Sequence, residues 1–394
     1  MKVTQCYEIV NNATAQLLGE SVILREDLSN IVDVGDALFG TYAMNSIEMS
    51  GVSSSMLNQI GRMVFVDRKY SGSAPSVLMD GWEYGSILAK VSSDLPEATE
   101  NESWELQNGA SYDPNIFYGA TAEIKFFNKR VTFEIDRSFT NDQLKQAFTS
   151  GEQMNAFLSM LFNTVQKSMT VKMDSLVMRT INNFTAETLY NSNNGGDYTG
   201  VGTTRAVNVL AKYKEIVGVE ADALTKDNCL TDAGFLRYLY QTIGLTSGRM
   251  SKMSALYNIG GKDRFTPTDL QHLVLLDEVK SAGDFYLYNG TNQFLIDRMD
   301  LPTFETVPFW QGSGTDYGFN STSAINVVTS EGHSVSTSGI LAVMFDRDAC
   351  GVTNLDNRVE TNYNPKASFT NYFYKFFAGY FNDFNENFVV FYVA

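Results

Sequence analysis

An unbroken helical pattern from Glu152 to Phe184 restricts this chain more than any other feature. Ser150 and Gln153 fit the S-x-x-Q capping box, in which each side chain satisfies a backbone amide that the helix start leaves unpaired. Behind the cap, Met154, Phe157, Leu158, Leu161, Phe162, Val165, Met169, Leu176, Val177, Ile181 and Phe184 recur mostly every three or four residues. That spacing predicts one apolar stripe. At about 1.5 Å per residue the rod is roughly 50 Å long, well beyond the ~10–14 residues of an ordinary globular helix. Thr170 and Val171 are β-branched and weaken its middle slightly. A rod of this kind serves shape and points away from catalysis.

The segments around it have other textures. Up to about residue 60, Ala15–Leu24, Asp27–Phe39 and Ser53–Val64 have helical spacing between glycine breaks, too thin to own a core. Ser71-Gly72-Ser73-Ala74-Pro75 is a breaker cluster, followed by Trp82, Tyr84, Ile87 and Leu88 and then an acidic stretch from Ser92 to Ser103. Ser111–Asn115 is a turn, and Ala122–Phe139 is strand-like, with Phe133 and Ile135 alternating against Thr132 and Glu134. Two strand-like flanks around a polar tip predict a long two-stranded arm. An isolated hairpin is marginal in water, so this arm is expected to lie on a partner.

Asp142–Phe148 reads as a short helix behind a cap at Asn141. After the turn-rich Asn191–Gly196, Arg205–Val217 and Thr231–Gly244 read as helices, and Leu273–Leu276, Phe285–Tyr288 and Ile325–Val328 as buried strands. That alternation predicts a mixed α/β layer. Ile340–Phe345 reads as a buried strand, Asp346–Asp348 as a turn, and Arg358–Tyr363 as another strand. Half the residues between Phe369 and Tyr392 are aromatic, broken at Asn382-Asp383 and Asn385–Asn387. The final Phe388–Ala394 would aggregate unless paired in a sheet.

The raw material for chemistry is thin. Only two histidines exist: His272, read as an ordinary strand-edge residue, and His333, read as solvated in a loop. Cys6, Cys229 and Cys350 are far apart, which argues against a disulfide framework or a thiolate metal site. Ile259-Gly260-Gly261-Lys262-Asp263 fails as a phosphate loop, because Leu256 replaces the first glycine and Asp263 the hydroxyl residue. The glycine-rich Gly312–Gly318 lacks dinucleotide spacing. Asp346 with Asp348 could form a metal pair, and a turn between strands explains them as well. No cofactor is implied.

The 29 basic and 45 acidic residues give a formal charge of −16, which repels phosphate backbones and argues against tight nucleic-acid binding. The acidic run Glu97, Glu100, Glu102 and Glu105 is either a solvated arm tip or a patch that meets basic residues on a neighbouring subunit. An acidic residue near the start and the lack of an ~18-residue apolar run predict a soluble protein made in a reducing cytoplasm.

In sequence order the chain offers a helical arm, a long two-stranded loop, a spine helix, a mixed α/β lobe and returning strands. That order resembles the Hong Kong 97-like fold of tailed-phage major capsid proteins, most closely the phi-29-like type. The resemblance is carried by Pro114-Asn115-Ile116, Phe133-Glu134-Ile135, Asp142–Phe148, Gly339–Asp348, Arg358–Thr361 and Asn371–Tyr374, and covers most of residues 70–394.

The resemblance implies an α+β fold with an N-terminal arm (1–66), an extended loop (67–121) and a peripheral domain containing the spine helix (122–190). An axial domain (191–339) and return strands of the peripheral domain (340–394) complete it. It implies a non-enzymatic homo-oligomer: pentamers and hexamers closing an icosahedral shell around double-stranded DNA, with portal and scaffolding partners and no membrane. Synthesis in the host bacterial cytoplasm and residence in the virion go with it. Candidate intersubunit contacts are Trp82, Tyr84, Lys90, Glu97, Glu100 and Trp104. Wider relatives cross-link a loop lysine to a neighbour's asparagine. Nothing assigns Lys90 that chemistry, so non-covalent assembly is the expectation. Alternatives are an encapsulin-like nanocompartment or, from another class, a strand-rich cytoplasmic enzyme using acidic loop residues.

Overall fold

The computed structural model describes residues 7–12, 24–39, 77, 88–93, 95–96, 98, 100, 104–119, 122–193, 198–218, 223–287, 304–310 and 323–394. In chain order, helix α1 (Ile31–Phe39) precedes strands β1 (Leu88–Ser93), β2 (Ala122–Phe127) and β3 (Arg130–Thr140). Helices α2 (Asn141–Ala147) and α3 (Gly151–Ser192) follow, then β4 (Ala206–Asn208), α4 (Val209–Val217), α5 (Ala233–Met250), β5 (Gln271–Leu276) and α6 (Asp277–Leu287). The remainder is β6 (Phe304–Val307), β7 (Ile325–Val328), β8 (Ser334–Thr337), β9 (Ile340–Asp346), β10 (Cys350–Asn364), β11 (Phe369–Asn382) and β12 (Phe388–Tyr392). The fold mixes helix and sheet, and the described residues divide into two compact units.

The first unit draws on residues within 1–74, 130–176 and 353–379. Its sheet has the order β10-β11-β3, with β11 antiparallel to β3. Alternation on β11 sends Thr370, Tyr372, Tyr374, Phe376 and Ala378 inward. Phe133 stacks on Phe376 at 5.0 Å, and Phe139 reaches both Tyr372 and Phe157 of α3. The first half of α3 buries Met154, Leu158, Leu161, Val165 and Met169, one stripe at helical spacing. The short helix α2 is capped by Thr140, one residue before the expected Asn141, because Thr140 and Gln143 satisfy each other's backbone amides. At the next helix, Ser150 Oγ accepts from the Gln153 amide at 3.1 Å, as the sequence predicts.

The second unit draws on residues within 75–129, 177–352 and 380–394. Its five-stranded sheet has the order β4-β12-β9-β5-β6. The aromatic ending is paired on both sides: β12 runs parallel to β4 and antiparallel to β9. Strands β9 and β12 are buried along their whole length. Phe184 of α3 stacks on Phe388 at 4.1 Å, and Phe388 on Phe345 at 5.5 Å. The Trp310 indole donates to the Ile340 carbonyl at 2.9 Å. Here α3 is buried nearly all round, Thr180, Asn182, Thr185 and Thr188 included, and it continues to Ser192 rather than stopping at Phe184.

Other expectations need correction. Residues 206–208 form β4 before α4 begins, and the next helix starts at Ala233 and runs on to Met250. Phe285 lies in the last turn of helix α6, not in a strand, and is 76% exposed; the acidic first turn Asp277-Glu278 favours that helix start. Strand β7 alternates buried and exposed rather than being buried throughout. His272 lies on β5, an interior strand, half-buried and stacked on Phe345; burial pulls its pKa down. His333 is exposed and stacks on Tyr190. Of the helical patterns expected over Ala15–Leu24 and Ser53–Val64, only Leu24 lies within the described residues, and it is not helical.

Candidate functional site at the root of the ribbon

Strands β1 and β2 form the expected two-stranded ribbon, antiparallel from Leu88↔Phe127 to Ser93↔Ala122. Its two faces are inverted relative to an ordinary hairpin. Lys90, Glu123 and Lys125 point to the less exposed side, while Val91, Ile124 and Phe126 stand 66%, 54% and 66% exposed. Period-2 alternation fixes which side chains share a face, so a one-residue slip would reverse both.

The register sets Lys90 directly opposite Lys125. Like charges in that position are destabilising unless something answers them. Asp383, in the turn between β11 and β12, answers both: Oδ2 lies 2.9 Å from Lys90 Nζ and Oδ1 3.1 Å from Lys125 Nζ. Glu386 Oε1 stands 2.8 Å from Lys90 and 3.4 Å from Arg264 Nε. Lys90 also donates to the Asp348 carbonyl at 3.3 Å. At the rim, Lys262 pairs with Glu123 at 3.5 Å.

The Asp383 side chain is only 2% exposed, and burial alone would raise its carboxyl. The hydrogen bond and charge of Lys90, with help from the Asn385 amide and Lys125, hold it below its ordinary value instead. Lys90 mirrors this, since burial would lower its amine and the carboxylates of Glu386 and Asp383 raise it. An amine held as ammonium has no lone pair to attack with. Lys90 is held here as an anchoring ammonium between Asp383 and Glu386.

The glycines that failed as a phosphate loop have a packing role. Gly260 N–H donates to the Phe384 carbonyl at 2.8 Å, and a Cβ built on Gly260 would sit 2.0 Å from Asn385 Oδ1. Only glycine lets that loop approach the turn bearing Asp383 and Glu386 so closely. Asp346 is likewise structural: its two oxygens accept from the Asp348 amide at 2.8 Å and from Thr266 Oγ1 at 2.6 Å. Among the described residues there is no cluster of His, Cys, Asp or Glu fit to hold a metal, and no helix long and apolar enough to cross a membrane. The first unit holds a cleft of about 450 Å³ between β3, α2 and α3, with Arg137 as the one charged side chain among the described residues that line it.

Of the six candidate contact residues, Trp82, Tyr84 and Glu97 lie outside the described residues. Lys90 is at the ribbon root. Glu100 is exposed, and Trp104 is 86% exposed, far along the same segment. Leu106, Phe117 and Tyr118 accompany Trp104 at 84%, 91% and 84% exposure. Sequence reasoning missed Lys125, Arg264, Asp383 and Glu386; the signal within reach was the polar break Asn382–Asn387 in an otherwise aromatic run.

Among solved structures the chain is similar to the capsid of Staphylococcus phage Andhra (12% identity, TM-score 0.49, covering 83% of this chain and 86% of that one). It is also similar to the capsid of cyanophage P-SCSP1u (11%, 0.42, 84% and 92%) and to the mature capsid of bacteriophage PhiM1 (9%, 0.42, 83% and 86%). No curated protein sequence matches. The family model described as Phi29-like phage major capsid protein matches residues 8–392, nearly the whole chain. A ribbon tied down at its root and left apolar at its tip suits a subunit that others must cover, and the chain belongs to the Phi29-like phage major capsid protein family.

Proposed function

We propose that the protein closes an icosahedral shell around packaged double-stranded DNA, with the Hong Kong 97-like division of labour. The capsid role itself follows from family membership. In the finer reading, residues 1–66 are an arm, 67–121 the extended loop, 122–190 with 340–394 a peripheral domain, and 191–339 an axial domain gathered around five- and six-fold axes. Portal and scaffolding proteins complete the assembly, and subunits are made in the host cytoplasm.

One observation carries the reading: the ribbon turns Val91, Ile124 and Phe126 outward and ends in exposed Trp104, Leu106, Phe117 and Tyr118. Val91 and Ile124 are cross-strand neighbours, exposed apolar side chains grouped in this way mark an interaction site, and a two-stranded ribbon is marginal unless it packs on something. The acidic chain lets DNA lie against a wall without gripping it. Negative-stain microscopy of purified protein tests the shell: closed particles tens of nanometres across support it, and dispersed monomers at high concentration overturn it. Particles that enclose an enzyme rather than DNA would favour a nanocompartment.

A further inference from the structure

Charge is segregated along this chain. Every charged side chain between Lys90 and Lys125 is acidic, whereas from Ala233 to Lys262 every charged side chain is basic. The first stretch is the ribbon segment, with Trp104, Leu106 and Phe117 among its exposed apolar residues. The second is α5 and the loop after it. Arg237, Gln241, Leu245, Gly248 and Arg249 are the exposed positions of α5, and their spacing puts them on one helix face. Lys252, Met253 and Leu256 extend that exposed surface into the loop, the last two 46% and 63% exposed. In a chain of net charge −16, this is a basic strip interleaved with exposed aliphatic side chains.

We propose that the acidic, aromatic ribbon tip of one copy docks on the basic, aliphatic α5 face of another copy. The inference rests on the shell reading and names a contact within it. Charge complementarity selects the partner. The tip has no cation of its own, the strip has no carboxylate of its own, and each carries apolar area that is uncovered within one chain. Complementary potentials fix register and suppress wrong pairings, while Trp104 and Phe117 supply the area to bury. Because tip and strip are different surfaces, the contact is head-to-tail, the kind that closes rings when the rotation per copy allows it. Tip and strip both belong to the second unit.

The test uses the full chain. Reversing the tip (Glu100→Lys with Glu105→Lys) or the strip (Arg249→Glu with Lys252→Glu) should each raise the protein concentration needed for particle formation at least tenfold. Combining the four substitutions should restore most of it. All six positions that matter here, Trp104 and Met253 included, are exposed, so melting curves of the unassembled subunits should stay near wild type. In a second test, Trp104→Cys and Met253→Cys chains are mixed and oxidised. A covalent dimer formed only in the mixture supports the contact.

Single reversals without effect, no recovery in the combined variant, or no mixed dimer would overturn it. So would a strip reversal that changes DNA retention and leaves association untouched, since the strip would then face nucleic acid. Wild-type particles with unaffected reversals sink the docking alone, while a wild type that never forms particles sinks the shell reading, and the mixed-dimer assay still decides the contact.

Discussion

The root and the tip of one ribbon are built on opposite terms. At the root, Lys90 and Lys125 face each other, and Asp383 and Glu386 of the same chain answer both charges. At the tip, Trp104 and Phe117 stand 86% and 91% exposed. The difference teaches where the chain settles its own accounts and where it leaves a place for another copy. Polar geometry is completed internally, because an unpaired buried charge costs several kcal/mol. Apolar area is left outside, where a second copy can cover it.

The sharpest way to break this comparison is to remove the root's shared carboxylate. Asp383→Ala leaves two lysines opposed and one buried site unfilled, and should cost about 3 kcal/mol in urea unfolding of the subunit. Asp383→Asn should lose less, since it keeps an acceptor. A smaller effect, and of a different kind, is expected at the tip. Trp104→Ala with Phe117→Ala should leave subunit unfolding within about 0.5 kcal/mol of wild type, while weakening association by about 2 kcal/mol. Sedimentation against concentration separates the two. A tip variant that unfolds early would show the tip to be part of its own subunit's core.

Protonation offers a graded version. The Asp383 carboxyl is held below its ordinary value, so its contribution is complete above the usual carboxylate range, roughly pH 4, and fades as pH falls through the lowered value. The Lys90 amine is held high, so its contribution is complete below roughly pH 10.4 and fades only as pH rises through the raised value. Protection in β1 and β2, taken relative to the intrinsic amide exchange rate at each pH, should therefore be high and flat near neutrality and fall toward both extremes. In Asp383→Ala the acid limb should disappear. The smallest effect belongs to Lys262→Ala: its pair with Glu123 is half-exposed at 3.5 Å, and loss of about 0.5 kcal/mol or less is expected.

The ribbon and the spine were legible for a physical reason. One-sided burial preserves the period that a sequence displays. The first half of α3 shows this, with Met154, Leu158, Leu161, Val165 and Met169 inward and Met160 outward. The second half is enclosed on nearly every side, so Thr185 and Thr188 are buried beside Phe184 and Leu189 and the stripe dissolves. That is why the pattern faded at Phe184 while the helix ran on to Ser192. Phe285 misled because aromatic density favours strands, whereas the exposed end of α6 asks only for a good helix start. The ion cluster was out of reach for another reason: Lys125 and Asp383 are 258 residues apart, and no local pattern records such a pairing.

The place of β12 has a consequence for how copies are made. Val390 pairs with Ala206, so the five-stranded sheet is joined across a long stretch of later synthesis. At about 5–20 residues per second, roughly ten to forty seconds separate the two strands as they leave the ribosome. Through that interval β4 lacks the strand that joins it to the sheet, and β9 is itself made only shortly before β12, so the sheet beneath the Asp383 turn cannot close. The ribbon is thus fastened only after the turn bearing Asp383 has been made, long after Lys90 and Lys125 themselves.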